Sequence, residues 1–254
     1  MNISNNLSEQ DDEVNRSCRV SVTVHQFAES LGNAIDAKDP YTCSHSEEVA
    51  VISKHIGNSL GLGKERCELL HIAGHLHDIG KIGIPDSILQ KKGRLTAEEF
   101  TLIQRHPQIG ADIVAPVTLL PGIDVIAGSI LHHHERFDGA GYPAGLKGEQ
   151  IPFEARIIAV ADTLSAMAGN RPYRQARSFS EIVTEIKNCS GSQFDPEVVS
   201  GFLGVAETVE DYLRKSSEAA CEDSNYLLQA ADSGAACRST VSVPVHAFFQ
   251  STDS

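Results

Sequence analysis

No apolar run in this 254-residue chain approaches the roughly eighteen residues that a membrane-crossing helix needs. The opening stretch MNISNNLSEQDDEVNRS is polar and acidic and lacks the apolar segment of a secretory signal. The expected location is therefore cytoplasmic, with no membrane partner. Cysteine is scattered: six residues, at 18, 43, 67, 189, 221 and 237, with no Cys-x-x-Cys spacing. Neither a zinc knuckle nor a redox pair is built that way, and without an export signal the thiols are expected to be reduced. Positive charge is short as well. Lys and Arg number 21 against 34 Asp and Glu, a formal net charge of −13. That argues against a nucleic-acid polymer as partner, because its backbone calls for a basic face. A small anion held by a few local cations is still allowed. Runs of alternating apolar residues are missing too, so no substantial sheet is expected, and no internal repeat is found.

What the chain does have is helical spacing. Val24, Phe27, Ala28, Leu31 and Ile35 share one face, and Asp39-Pro40 ends that helix. A second helix starts near Thr42 or Ser44, carries His45, Val49, Ile52, Ile56 and Leu60, and ends at Gly61. A third runs from Lys64 to His77-Asp78, with Gly80 at its C-terminal end. Thr96 and Glu99 make a capping box for a helix expected to continue through His106. Further helices are expected over roughly 110–115, 123–134 and 152–167. Ser178 with Glu181 caps another, and Asp195-Pro196 opens one to about Leu203. A last helix from Val205 to Arg214 fits the composition. Gly139 to Gly145, with three glycines and a proline, reads as a tight loop.

The stretch from His77 to Arg174 concentrates metal-ligand chemistry. It holds His77-Asp78, Lys81, His106, the run His132-His133-His134, Asp162, and Arg171 with Arg174. Imidazole with carboxylate suits Fe, Mn or Zn. A carboxylate that bridges two ions, with a lysine beside it, fits phosphoryl transfer. Each piece alone has a plain reading: a lone histidine is usually a surface or satisfied core residue, and a lone lysine or arginine is usually solvated. The combination, in order, carries the weight.

That combination resembles the HD-GYP family, a branch of the HD phosphohydrolases. The matching motifs are HDIGKIGIPDSIL (77–89), HHERFDGAGYPAGLKGEQIP (133–152), ARIIAVAD (155–162) and RPYR (171–174), with DPYTCSHSEEVA (39–50) as the opening segment. The resemblance covers about residues 22 to 204. It implies an all-α helical bundle of the HD-domain type. It also implies a bacterial signalling enzyme that hydrolyses cyclic di-GMP to pGpG, and on to GMP after a second cut. Carried over, it implies the metal ligands His45, His77, Asp78, His106, His133, His134 and Asp162. Asp78 is then the bridging carboxylate, and the cofactors are two divalent ions, Fe or Mn. Lys81 is implied at the scissile phosphate. Gly141, Tyr142, Arg171 and Arg174 are implied to hold the dinucleotide. His132, His71 and His75 have no family role, and His75 is expected to face away from His77.

Three positions depart from the family pattern. Ser165 stands where many members have Asp, and Ala168 where Thr is common. Tyr41 occupies a position where some members place a Glu for a third metal, which favours a two-metal site. Two other functions stay open: a non-catalytic cyclic-dinucleotide sensor, and a phosphodiesterase for cyclic GMP-AMP. The expected organisation is a disordered segment over 1–20, a catalytic domain over 21–204, and an acidic, partly disordered extension over 205–254. Only about twenty polar residues precede the first helix, so a near stand-alone catalytic domain is expected. A homodimer or a regulatory protein partner is compatible with it.

Overall fold

The computed structural model describes residues 23–39, 44–169 and 176–218. Among them there is no strand, and a lone bridge joins Ser190 to Phe194. The chain divides into two compact units, Met1–Leu213 and Arg214–Ser254; the core and the site lie in the first. Helix α1 covers 23–38. It is followed by α2 (His45–Ser59), α3 (Lys64–Leu76), a 3₁₀ turn (Ile79–Gly83) and the one-turn α4 (Asp86–Leu89). Then come α5 (Ala97–Ile103), α6 (His106–Val114), α7 (Ile123–His132) and α8 (Phe153–Ala168). Helices α9 (Phe179–Asn188) and α10 (Pro196–Gly204) follow, and α11 covers 206–218. No helix of the described residues is long and apolar enough to cross a membrane.

Helix α8 is the axis of the bundle. Ala155, Ile157, Ile158, Val160, Ala161 and Leu164 are fully buried, which leaves almost no solvent face. Against them pack Ile52 and Ile56 of α2, Leu70 of α3, Ile126 and Ile130 of α7, Ile182 of α9 and Phe202 of α10. Each such aliphatic side chain stabilises the fold by roughly 1.5–3 kcal/mol when taken from water. Two ion pairs pin the N-terminal end of this axis: Arg66 to Glu154, and Arg156 to Asp195. The core continues past α10 into Val209 and Leu213.

Local signals account for several boundaries. The capping boxes at Thr96/Glu99 and Ser178/Glu181 are both formed, and Asp195 caps α10 with Pro196 in its first turn. Three expectations need correction. The third helix stops at Leu76, and Asp78 lies in the turn after it. The helix expected to run through His106 ends at Ile103, and His106 begins α6 instead. Gly80 is not a helix cap. A Cβ there would lie 1.9 Å from the His106 carbonyl oxygen and 2.5 Å from Gly110 N, so only glycine lets the 3₁₀ turn press onto α6.

Ser44, which precedes helix α2, has φ 63° and makes no side-chain cap hydrogen bond. The cap comes from α1: Asp36 accepts from Ser46 N at 3.0 Å and from Ser46 Oγ at 2.9 Å. This satisfies an otherwise unpaired helix N-terminus and fixes the first residue of α2, His45.

Candidate metal centre

Five helices and the 3₁₀ turn deliver the site. His45 opens α2, His77 follows α3, and Asp78 precedes the 3₁₀ turn. His106 opens α6, His133 and His134 follow α7, and Asp162 sits on α8. Their ligand atoms fall into two sets, Asp78–His106–His133–His134 and His45–His77–Asp162, each with its atoms mutually within 4.8 Å. Asp78 joins the sets. Its Oδ1 is 3.2 Å from His106 Nε2, and its Oδ2 lies 3.3 Å from His77 Nε2 and 4.0 Å from His45 Nε2. Asp162 Oδ1 is 3.2 Å from His45 Nε2. All seven residues proposed as ligands from the sequence are thus brought together. His132 is set aside, with its Nδ1 3.6 Å from Glu135.

The imidazoles are oriented before any cation arrives. Nδ1 of His77, His106 and His133 contacts the carbonyl three residues back, Gly74, Ile103 and Ile130, at 2.7, 2.7 and 2.6 Å. A carbonyl only accepts, so each Nδ1 carries a hydrogen and each ring turns its Nε2 inward, the nitrogen that would offer its lone pair to a cation. His106 Nε2 and His133 Nε2 face each other at 3.4 Å, and His77 Nε2 is buried with no hydrogen-bond partner. Buried ring nitrogens aimed at one another beside two carboxylates are what a divalent-cation site requires, and the donor set suits Fe, Mn or Zn.

The electrostatics agree. Burial pushes His133 well below the usual histidine range, and the rings of His134, His77 and His106 add to this. Burial lowers His134 to about 4. His77 goes the other way: burial opposes its charge, but Asp78 and Asp162 outweigh it and raise it to about 9. Burial likewise works against the Asp78 carboxylate, yet Lys81 and His77 hold it well below its ordinary value. Asp162 is depressed by His45 and His77 in spite of its burial. The carboxylates in the pocket hold positive charge wherever they can get it.

Lys81 sits just beyond α3 rather than on it, and its ammonium bridges Asp78 Oδ2 at 2.7 Å and Asp39 Oδ2 at 3.1 Å. These two carboxylates outweigh its burial and raise its pKa, so it stays charged. Asp39, read from the sequence as a helix breaker and as the first residue of the opening motif, is thus the anchor of Lys81. Glu135 is a second residue missed by sequence reasoning. Its buried carboxylate accepts from Ala144 N at 2.7 Å and Leu146 N at 3.1 Å, buckling the glycine-rich loop onto the end of α7. Gly141 lies so close to that segment that a Cβ would meet Arg136 N at 2.3 Å. The loop lays the Tyr142 ring beside His134, centroids 4.9 Å apart. Burial, with Asp78 and Asp162 nearby, raises the Tyr142 phenol and keeps it a donor.

Ser165 proves to be a contact of His45. Its Oγ is 2.8 Å from His45 Nδ1 and 2.5 Å from Glu48 Oε2. Ala168 only packs against the core. Glu48 is three residues after His45 on α2, a spacing that marks a shared face, but nothing in the sequence singles it out from its acidic neighbours. Tyr41, Arg171 and Arg174 lie outside the described residues.

Comparison with known proteins is consistent with this geometry. The HD domain family matches residues 29–198. A cyclic di-GMP phosphodiesterase of Thermotoga maritima is 39% identical over 193 residues, 76% of this chain and 52% of that protein. The cyclic di-GMP phosphodiesterase response regulator RpfG of Xanthomonas campestris pv. campestris is 40% identical over 173 residues, 68% of this chain and 46% of that protein. The chain thus spans about half the length of these curated relatives. Among solved structures, a cyclic GMP-AMP specific phosphodiesterase of Vibrio cholerae superposes with a TM-score of 0.55 at 22% identity, over 72% of this chain and 49% of that one. It is a likeness of fold.

Proposed function

The chain belongs to the HD-domain family, and from that premise we propose that it is a metal-dependent phosphodiesterase that opens cyclic di-GMP to pGpG, with GMP after a second cut. The observation that carries this reading is the convergence of five histidines and two aspartates on one buried pocket, with the Lys81 ammonium 2.7 Å from Asp78. Fe or Mn, two ions, is the proposed metal content, and His45, His77, Asp78, His106, His133, His134 and Asp162 are the residues that would hold them.

Bound divalent ions supply Lewis acidity toward phosphoryl oxygens and lower the pKa of water. The residues of the chain do the rest. Lys81, held charged and aimed by Asp39 and Asp78, meets the negative charge that develops on the phosphoryl oxygens, an electrostatic contribution. Gly141 allows the loop to approach closely, and Tyr142 offers a ring and a hydroxyl to the dinucleotide. Arg171 and Arg174 are proposed as further dinucleotide contacts from the RPYR motif alone. The intact ligand set weighs against the reading as a non-catalytic sensor.

The test is incubation of the full chain, loaded with Mn²⁺ or Fe²⁺, with cyclic di-GMP and with cyclic GMP-AMP, and chromatographic separation of the products. Linear pGpG is expected, and its loss in His77→Ala/Asp78→Ala. Undiminished turnover in that double variant would sink the assignment, and so would binding of either dinucleotide without cleavage. Cleavage of cyclic GMP-AMP alone would move the substrate to the mixed dinucleotide.

A further inference from the structure

Helix α3 carries a second stripe of metal-ligand side chains. Glu68, His71 and His75 follow one another at spacings of three and four, so they share a face. His77, two residues after His75, belongs to the opposite side. Helix α1 brings His25 to this stripe. His25 Nε2 is 2.8 Å from Glu68 Oε2, and the His25 and His71 ring centroids are 5.2 Å apart. One ligand atom from each of His25, Glu68 and His71 lies within 4.8 Å of the others.

His71 is the anomaly that points to a ligand. Both of its ring nitrogens are buried and neither has a hydrogen-bond partner. A neutral imidazole carries a donor and an acceptor, and leaving both unmet in the interior is costly. Glu68 is only half committed: its Oε1 meets Lys54 Nζ at 2.8 Å, while Oε2 faces His25. Glu47 and His75 approach His71 as well, again with atoms within 4.8 Å, and their own contact is 3.4 Å.

We propose that this junction of α1 and α3 binds one divalent cation of the zinc class through His25, Glu68 and His71, separately from the centre at Asp78. Two imidazoles and a carboxylate are a familiar zinc donor set, with room for water at a fourth position. When one nitrogen of His71 takes the cation, the other presents its N–H to the neighbourhood of Glu47, a carboxylate–histidine–metal arrangement that orients the ring. Burial first, then His75, Lys54 and His25, lower His71 to about 3, so the ring is neutral at neutral pH and one nitrogen offers its lone pair. The cation ties α1 to α3, whereas the proposed ligands of the catalytic pocket include no residue of α1.

The test is a count of bound Zn²⁺. Metal-stripped full chain is dialysed against micromolar Zn²⁺, and metal and protein are measured in the same samples. The native chain is expected to hold one more equivalent than His71→Leu and one more than His25→Ala, each of which retains the ions of the catalytic pocket. Circular dichroism and the thermal midpoint check that both variants fold. If His71→Leu does not fold, His25→Ala decides the matter, because the His25 side chain is only partly buried. Equal metal content in the native chain and the folded variants overturns the proposal. Loss of the extra ion in Glu47→Gln with its retention in His25→Ala also overturns it.

Discussion

The hydroxyl of Ser165 lies 2.8 Å from Nδ1 of His45. Its single hydrogen goes to Glu48, 2.5 Å away, so its lone pair receives the His45 N–H. That choice leaves His45 Nε2 free to face Asp162 and Asp78. The serine at a position where an aspartate was expected is therefore not a gap. Ser165 and Glu48 together give His45 the oriented acceptor that a carboxylate would otherwise provide. Ser165→Ala should weaken metal binding by about 10- to 100-fold, the range for lost outer-shell partners, without loss of helix. A competition titration with a chromophoric chelator reads this directly. An affinity equal to that of the native chain would show the serine to be incidental.

Lys81 and Asp39 form a second such pair, 3.1 Å apart. Lys81→Gln should lower kcat by about 10²- to 10³-fold, as for other groups that stabilise transition-state charge, while metal content stays at the native level. Asp39→Asn should lower kcat less, because Asp78 still holds the ammonium. Steady-state kinetics with metal analysis on the same preparations separates these outcomes. A Lys81→Gln protein that lost its metal instead would reassign the lysine to site assembly.

The buried histidines of the α1–α3 junction predict acid sensitivity. Burial lowers His71 to about 3 and His75 to about 4, against about 6.5 when the chain unfolds. Between these values each of these two histidines binds more protons in the unfolded chain than in the folded one. Their contribution to stability is therefore full above about pH 6.5 and is lost as pH falls toward 4. In chelator-containing buffer, the fall in unfolding free energy from pH 7.5 to 5.5 should be smaller by about 1 kcal/mol in His71→Leu than in the native chain. Urea titrations at the two pH values measure it, and parallel falls in the two proteins would contradict it.

The sequence alone determined the helical class and most helix starts, which depend on local physics: apolar spacing and capping boxes. The candidate ligand set came from the resemblance of its motifs to a known family. Thr96 with Glu99 and Ser178 with Glu181 cap as read. All seven proposed ligands converge. What the sequence left undecided depends on atoms far apart in the chain. Asp36 caps α2 from another helix, Asp39 anchors Lys81 from 42 residues away, and Ser165 reaches Glu48 from 117 residues away. Gly80 looked like a helix end and is instead a contact point with α6. Only the tertiary structure decides such matters, because a carboxylate, a hydroxyl or a missing Cβ acquires its role from the group that folding places beside it.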